Sequence, residues 1–376
     1  MNSLTQHAYD DRVIIPALKQ GILLGFEIDN TQLDLPENTY FNAPDIDLSI
    51  YDRFVVCMSG GKDSLAAALR LIDAGVDRDQ IEFWHHLIDP VEHSRNNTGL
   101  MDWTFMHDYV NKVAAALGIK VYYSWLDGGF EGELLKQNSV SRPLYTETPD
   151  GLELCERDLS RAKPNTRMRF PQQAADLRTR WCSSMLKIDV GRRALTRQTR
   201  FNHSKTLFIT GERRQESPGR SRYNQFETHS ADTRNGRLGR HVDTWRNVLH
   251  FEEAEVWALL EKYRIIAPLP YRLGWGRSSC MTCIFNSPRI WATIAEYFPE
   301  RVQRIAQLED QFGTTISRNR INVLQVGTQT TPMQIDDPEL LRQAVSYEYT
   351  LPVVLEAHQR WELPKGAFSA ESCGST

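Results

Sequence analysis

Six consecutive residues, Ser59-Gly60-Gly61-Lys62-Asp63-Ser64, carry the clearest chemistry in the chain. Two glycines let the backbone take positive φ and bring its amides against a ligand with no Cβ in the way. An apolar run, Phe54-Val55-Val56-Cys57-Met58, precedes the loop, and Leu65, Ala68, Leu69 and Ile72 follow at helical spacing. A helix beginning near Ser64 would aim unpaired amides and the positive end of its dipole back at the loop, which favours an anion. Lys62 offers a mobile cation, Asp63 a carboxylate, and Ser59 and Ser64 short hydrogen-bonding hydroxyls. The loop is not a Walker A motif, because Val56 stands where that motif requires glycine.

A second group follows the run Thr206–Thr210: Gly211-Glu212-Arg213-Arg214-Gln215-Glu216-Ser217, with Arg220 close behind. Guanidinium groups at the C-terminal end of a strand, where open α/β sheets collect ligands, can fork onto phosphate or sulfate oxygens and stabilise charge in transit. His85 and Asp89 end another strand-like run, Ile81–Asp89. Cys280-Met281-Thr282-Cys283 forms a C-x-x-C, and Cys182 stands 98 residues before it. Two thiolates at that spacing can share a metal or cluster and a distant third can complete a face of it. An iron–sulfur cluster, a structural zinc ion and an unmetallated pair all remain open. Cys57, inside the first strand, reads as core.

Elements must position these residues. Strand patterns at Phe54–Met58, Ile81–Asp89, Lys120–Trp125 and Thr206–Thr210 alternate with helical patterns at Ser64–Ala74, Thr104–Leu117 and Leu177–Arg197, which predicts a doubly wound, mostly parallel α/β sheet. Asp127–Arg180 and Glu212–Arg240 read as polar loops. Phe251–Tyr263 reads as an amphipathic helix, and from Pro288 the spacing of Ile290, Ile294, Phe298, Val302 and Ile305 is helical. The expected organisation is an N-terminal extension over 1–48, an α/β domain over 49–287 and a helical region over 288–376.

Composition sets the bounds. A chain of 376 residues with 41% hydrophobic and 24% charged residues can bury a sizeable core without disulfides. No stretch approaches the ~18 apolar residues of a membrane span and the first residues lack a signal-peptide pattern, so a cytoplasmic protein with no membrane partner is expected. Between Arg157 and Arg246, 18 arginines and 3 lysines face 8 acidic residues, a net of +13 against −17 elsewhere. Such a block predicts contact with something anionic, nucleotide phosphates or a nucleic-acid backbone.

S-G-G-K-D-S after an apolar strand resembles the phosphate loop of the PP-loop ATP pyrophosphatases, the adenine nucleotide alpha hydrolase superfamily. Arg180-Trp181-Cys182 through Leu186-Lys187, Gly211 through Arg220, and Arg240-His241-Val242-Asp243-Thr244-Trp245 with Val256-Trp257 narrow the likeness to the phosphoadenosine phosphosulfate reductase-like branch that includes the DndC and SspD proteins of DNA phosphorothioation. The resemblance spans roughly residues 50–285. It implies ATP held at Ser59–Ser64, with magnesium bridging its β and γ phosphates, cleavage to AMP and pyrophosphate, and adenylylation of a substrate oxygen that sulfur then displaces. Lys62, Asp63, Arg213 and Arg220 would serve the chemistry. Ser59, Gly60, Gly61, Ser64, His85, Asp89, Gly211, Arg214 and Glu216 would bind nucleotide or metal. Cys182, Cys280 and Cys283 would hold a 4Fe–4S cluster, or zinc, with Cys155 or Cys373 as a fourth ligand. Implied partners are DNA, a cysteine desulfurase as sulfur donor and other subunits of a modification complex. A sulfonucleotide reductase and a non-catalytic nucleotide-binding subunit are the alternatives.

Overall fold

The computed structural model describes residues 39–90, 99–160, 162–174 and 176–369, so Cys373 and most of the expected N-terminal extension lie outside it. Among the described residues eight strands form one sheet: β1 (Arg53–Cys57), β2 (Ile81–His86), β3 (Lys120–Leu126), β4 (Leu144–Thr148), β5 (Gly151–Cys155), β6 (Lys205–Ile209), β7 (Phe226–Thr228) and β8 (His241–Trp245). Their order is β5-β4-β3-β2-β1-β6-β8-β7. The four inner pairings, β3–β2, β2–β1, β1–β6 and β6–β8, are parallel, and the hairpin partners at both edges are antiparallel. The expected α/β class is therefore present, as a mostly parallel mixed sheet followed by C-terminal helices.

β1 shows how the sequence builds the layers. Successive side chains of a strand point to opposite faces. Phe54 and Val56 enter the main core with Leu65, Leu69, Tyr109 and Val110, whereas Val55 joins Trp84, Ala194, Leu195 and Phe208 on the other side. Helices α1 (Lys62–Asp73) and α2 (Met106–Leu117) thus cover one face. The other face takes α3, which runs from Trp181–Ser183 through a π-helical stretch, Ser184–Ile188, into Asp189–Arg197. α3 lies so close to the sheet that a Cβ on Gly191 would stand 2.9 Å from His86 Nε2.

Several expectations need correction. α1 begins at Lys62, two residues before Ser64. The stretch Asp127–Arg180 holds a short helix, Gly129–Leu134, and the β4–β5 hairpin, whose turn is Pro149-Asp150-Gly151. β7 lies inside the segment read as a loop. Residues 39–48 belong to the fold: Tyr40 bridges to Phe226, and Phe41 lies under the Arg214 guanidinium, 3.8 Å from ring centre to Cζ. Helices α4 (Glu253–Lys262), α5 (Pro288–Tyr297) and α6 (Pro299–Phe312) share one continuous core with the sheet, as do Val323 and Tyr349, so no break in packing occurs at residue 288. No described helix is long and apolar enough to cross a membrane.

Candidate active site

Leaving β1 the chain turns toward β2, while β6 lies on the other side of β1. Loops that diverge in this way leave a crevice at the C-terminal ends of the strands, the usual ligand position in open α/β sheets. Ser59–Ser64 occupies it. Gly60 adopts φ +77° and its missing Cβ leaves room for Met106 Sδ, whereas Gly61 is extended at φ −87° and caps α1 without any side-chain hydrogen bond. The positive φ expected of both glycines therefore belongs to Gly60 alone. Ser59 and Ser64 hydroxyls lie 3.1 Å apart, and Ser64 Oγ donates to the Gly61 carbonyl at 2.9 Å. The loop is thereby stiffened from inside, with the N-terminal amides of α1 at its mouth.

Lys62 departs from expectation. It is only 3% exposed, its Nζ 3.3 Å from Asp63 Oδ2 and 3.8 Å from Glu253 Oε1, and above the rings of Tyr271 and Trp257 at 5.2 and 5.9 Å. Burial pulls its pKa down, but Tyr271, Asp63 and Glu253 outweigh that and the net shift is upward. Lys62 is a fixed positive charge beneath the loop and no mobile arm. Asp63 is shared: its Oδ1 accepts from Arg213 Nε at 2.5 Å. Burial would raise its pKa, yet Lys62 and Arg213 overcome this and hold it below the ordinary value.

The β6 loop closes on the same turn. A Cβ on Gly211 would stand 2.7 Å from the Asp63 carbonyl oxygen and 2.8 Å from Ser64 N, so only glycine lets the two backbones meet. The arginines that follow divide their roles. Arg213 is buried against Asp63, and its Nη1 donates to Gln215 Oε1 at 2.8 Å. Arg214 turns away to Phe41 O at 2.5 Å, Tyr223 O at 3.1 Å and Asn42 Oδ1 at 3.0 Å. Its expected place at the nucleotide is thus taken by a structural one. Arg220 stays at the rim, paired with Glu216, whose Oε1 also meets Arg277 at 3.3 Å. Glu216 therefore orients arginines. Much of the basic segment is likewise consumed internally: Arg200 on Glu82, Arg234 on Asp232 and Asp243, Arg246 on Glu227, and the buried Arg240 on Asn202 and carbonyl oxygens.

His85 and Asp89 line a pocket with Ile88, Trp103, Met106 and His107 beside the loop. His85 Nδ1 donates to Met58 O at 2.7 Å. Asp89 Oδ2 accepts from the amides of Met101 and Asp102 at 2.6 and 2.7 Å, while its Oδ1 is buried with no partner among the described residues. Burial pushes the Asp89 pKa up to about 6. The histidines behave oppositely: burial pulls His85, His86 and His229 down to about 4, 3 and 4. An unfolded chain takes up protons on these imidazoles as pH drops below 6.5, which the folded chain refuses, so acid favours unfolding. Asp89 works against this between pH 3.8 and about 6, joined by Asp102 and Glu309, which burial also raises, whereas the lowered Asp63 and Glu212 add to the loss in acid. Thermal melting is expected to be flat just above pH 7 and to fall progressively from 6.5 toward 4. A melting temperature that rises over that interval would contradict the neutral imidazoles.

Sequence reading missed the residues that roof the loop, since they come from distant segments. The Tyr271 hydroxyl accepts from the Lys62 amide at 3.4 Å, and Ser278 Cβ stands 3.4 Å from where a Gly61 Cβ would be. Two residues on begins the turn Cys280–Cys283, closed by Cys283 N donating to Cys280 O at 3.2 Å. Cys182, Cys280 and Cys283 all lie within electrostatic reach of Lys187. Burial alone would lower the Lys187 pKa, but Cys280, Asp102 and the other two thiols raise it, and burial then Cys283 raise that of Cys182. By accessible surface Lys187 is exposed and the three cysteines are half-buried. Cys155, proposed as a fourth ligand, packs instead with Leu144 and Val190 in a separate apolar cluster. Among the described residues no three His, Cys, Asp or Glu side chains are gathered to hold a metal ion. Cys373, the other expected fourth ligand, lies outside the described residues, and no step below passes through a cluster or a zinc ion.

No protein-family profile matches the chain. Over 141 residues, 38% of the chain, it is 30% identical to a protein of Escherichia phage 186 described as "Uncharacterized 37.8 kDa protein in gpa 5'region". The match spans 39% of that relative's length, and its description assigns no activity.

Proposed function

We propose that this chain is an ATP pyrophosphatase of the PP-loop kind, which binds ATP at Ser59–Ser64 and splits it between the α and β phosphates to adenylylate an oxygen on a second substrate. The observation that carries the reading is the loop itself: a glycine at φ +77° and a helix N-terminus without a cap from its own N-cap residue, at the C-terminal end of β1, beside the point where the strand order reverses. Amides there hold the β and γ phosphates. Lys62 adds a fixed charge from below. Arg220 and Arg277, each with a side chain about one-third exposed and both tied to Glu216, are the rim cations able to turn toward an α phosphate. Magnesium would arrive on the nucleotide and neutralise phosphate charge; ATP-bound magnesium needs only one or two protein carboxylates, and the unpartnered Asp89 Oδ1 is suited to that. The buried, neutral His85 beside it suits an adenine edge better than an anion.

By the same reading the acceptor is a DNA backbone phosphate and the sulfur comes from a cysteine desulfurase within a modification complex. The exposed basic side chains that remain, among them Lys163, Arg169, Arg197, Arg222 and Arg237, would supply the DNA contacts. Purified protein with ATP, magnesium and duplex DNA is expected to release pyrophosphate, stimulated by DNA, with an equal amount of AMP carried on the DNA phosphate and set free when a sulfur donor or water displaces it. DNA affinity should fall with salt at a log–log slope of roughly −0.9 per phosphate contact. Release of ADP would overturn the reading, sulfite from an adenylylated sulfate would transfer the site to a reductase, and tight ATP binding without turnover would leave a regulatory subunit.

A further inference from the structure

We infer that Arg277 is a positioning residue, and that the strap it leads, Arg277–Cys283, couples an anion in the phosphate loop to the placement of the Cys280 and Cys283 thiols. The inference rests on the nucleotide reading above and adds a connection between two sites. The strap is fastened at both ends. Its far end is fixed by the Thr282 amide on Met101 O at 3.1 Å and by Thr282 Oγ1 on Leu100 O at 2.9 Å. Trp103 Nε1 donates to Ser279 O at 2.8 Å. Leu100–Trp103 is in turn held by Asp89 through the amides of Met101 and Asp102. The near end meets the loop directly. Ser278 lies over Gly61, its amide on the Tyr271 hydroxyl and its buried Oγ without a partner among the described residues. Arg277 pairs with Glu216 Oε1 at 3.3 Å.

That ion pair is built to exchange. Glu216 also receives Arg220 and the Arg213 amide on Oε2, so it stays satisfied when Arg277 leaves. Asp63, on the first turn of α1, is within electrostatic reach of Arg277 and draws the guanidinium toward the loop. A polyphosphate seated on the α1 amides brings several negative charges to the same place and outcompetes a carboxylate already shared by two arginines. Arg277 then turns onto the anion, Ser278 is held where it already lies over Gly61, and the Cys280–Cys283 turn, three residues away on the same tethered segment, is stiffened with them. The thiols beside Lys187 are thereby held most firmly when a nucleotide is present.

Amide hydrogen exchange on the full chain tests this, with α,β-methylene-ATP and magnesium as the probe. In the wild type the probe should slow exchange at least five-fold both in peptides from the loop and α1 and in peptides covering 279–286. Arg277→Gln should bind the probe more weakly; at a concentration that calorimetry shows to saturate it, the loop peptides should be protected while 279–286 is not, and Arg277→Lys should restore part of that protection. Protection of 279–286 that survives in Arg277→Gln would overturn the inference, as would a wild type whose loop is protected and whose strap is not. A wild type that shows no protection anywhere and no binding by calorimetry would overturn the nucleotide reading and this inference together.

Discussion

Replacing Asp63 by alanine is expected to cost about 3 kcal/mol of stability and to abolish pyrophosphate release at once. Asp63 is the acid that lies between the buried cations Lys62 and Arg213, 3.3 Å from one and 2.5 Å from the other. Removing one partner of a buried pair strands the other charge, a loss of about 3–5 kcal/mol. The lower end applies because Lys62 keeps Glu253 at 3.8 Å and Arg213 keeps Gln215. Lys62→Met leaves Asp63 on Arg213 and puts an apolar chain against Tyr271 and Trp257, so it should cost less than about half as much while equally removing turnover. Urea unfolding and pyrophosphate release, measured on the same preparations, separate the two effects. Full turnover in either variant would remove that residue from the chemistry, and an Asp63→Ala protein as stable as the parent would refute the shared-carboxylate arrangement.

Gly211→Ala is expected to lower the efficiency of ATP turnover about 100-fold, the scale of a 1 Å misplacement of reacting groups. The added Cβ meets backbone atoms, Asp63 O at 2.7 Å, Asp63 C and Ser64 N both at 2.8 Å, and backbone cannot rotate away as a side chain can. Either the β6 loop lifts or the first turn of α1 shifts, and both displace phosphate-binding amides. Overpacking of this kind costs about 1–3 kcal/mol, too little to unfold most domains. Gly75→Ala is the control. Unlike Gly211 it has positive φ, +78°, but nothing lies within 4 Å of its added Cβ, so it should cost about 1 kcal/mol through backbone strain and leave kinetics untouched. Equal turnover for Gly211→Ala and Gly75→Ala would show that the β6 loop does not set the phosphate site.

How much of this was legible beforehand depends on the range of the interactions involved. The phosphate loop, β1 and α1 are local: an apolar run, two glycines and a helical repeat lie within twenty residues, and the pattern declares itself. The β4–β5 hairpin was also written locally, in Leu144-Tyr145-Thr146-Glu147-Thr148 alternation and a Pro-Asp-Gly turn, but brevity and a polar setting hid it. The fixed state of Lys62 was not legible, because Glu253, Trp257 and Tyr271 reach it from about 200 residues away. Arg214 shows the same limit from the other side. Its neighbours suggest an anion site, yet Phe41 and Tyr223 claim its guanidinium, and nothing near it in sequence says so. The C-x-x-C was visible as a pair; its connection to Gly61 through Ser278 needed coordinates.

The position of β1 at the middle of the sheet also dictates an order of assembly. β1 is made early, yet it pairs with β6, its loop is braced by Gly211, and its roof, Tyr271 and Ser278, comes later still. At typical synthesis rates of about 5–20 residues per second, roughly 200 residues separate the loop from its roof, a delay of about 10–40 s. During that interval the nascent chain carries Phe54, Val55 and Val56 on a strand with one edge unfilled, exposed to mispairing until β6 arrives. A ligand for the loop cannot act as a folding template in that window, because the walls that would hold it do not yet exist. Chaperone dependence should therefore concentrate before β6 leaves the ribosome, and nucleotide should rescue only chains that are already complete.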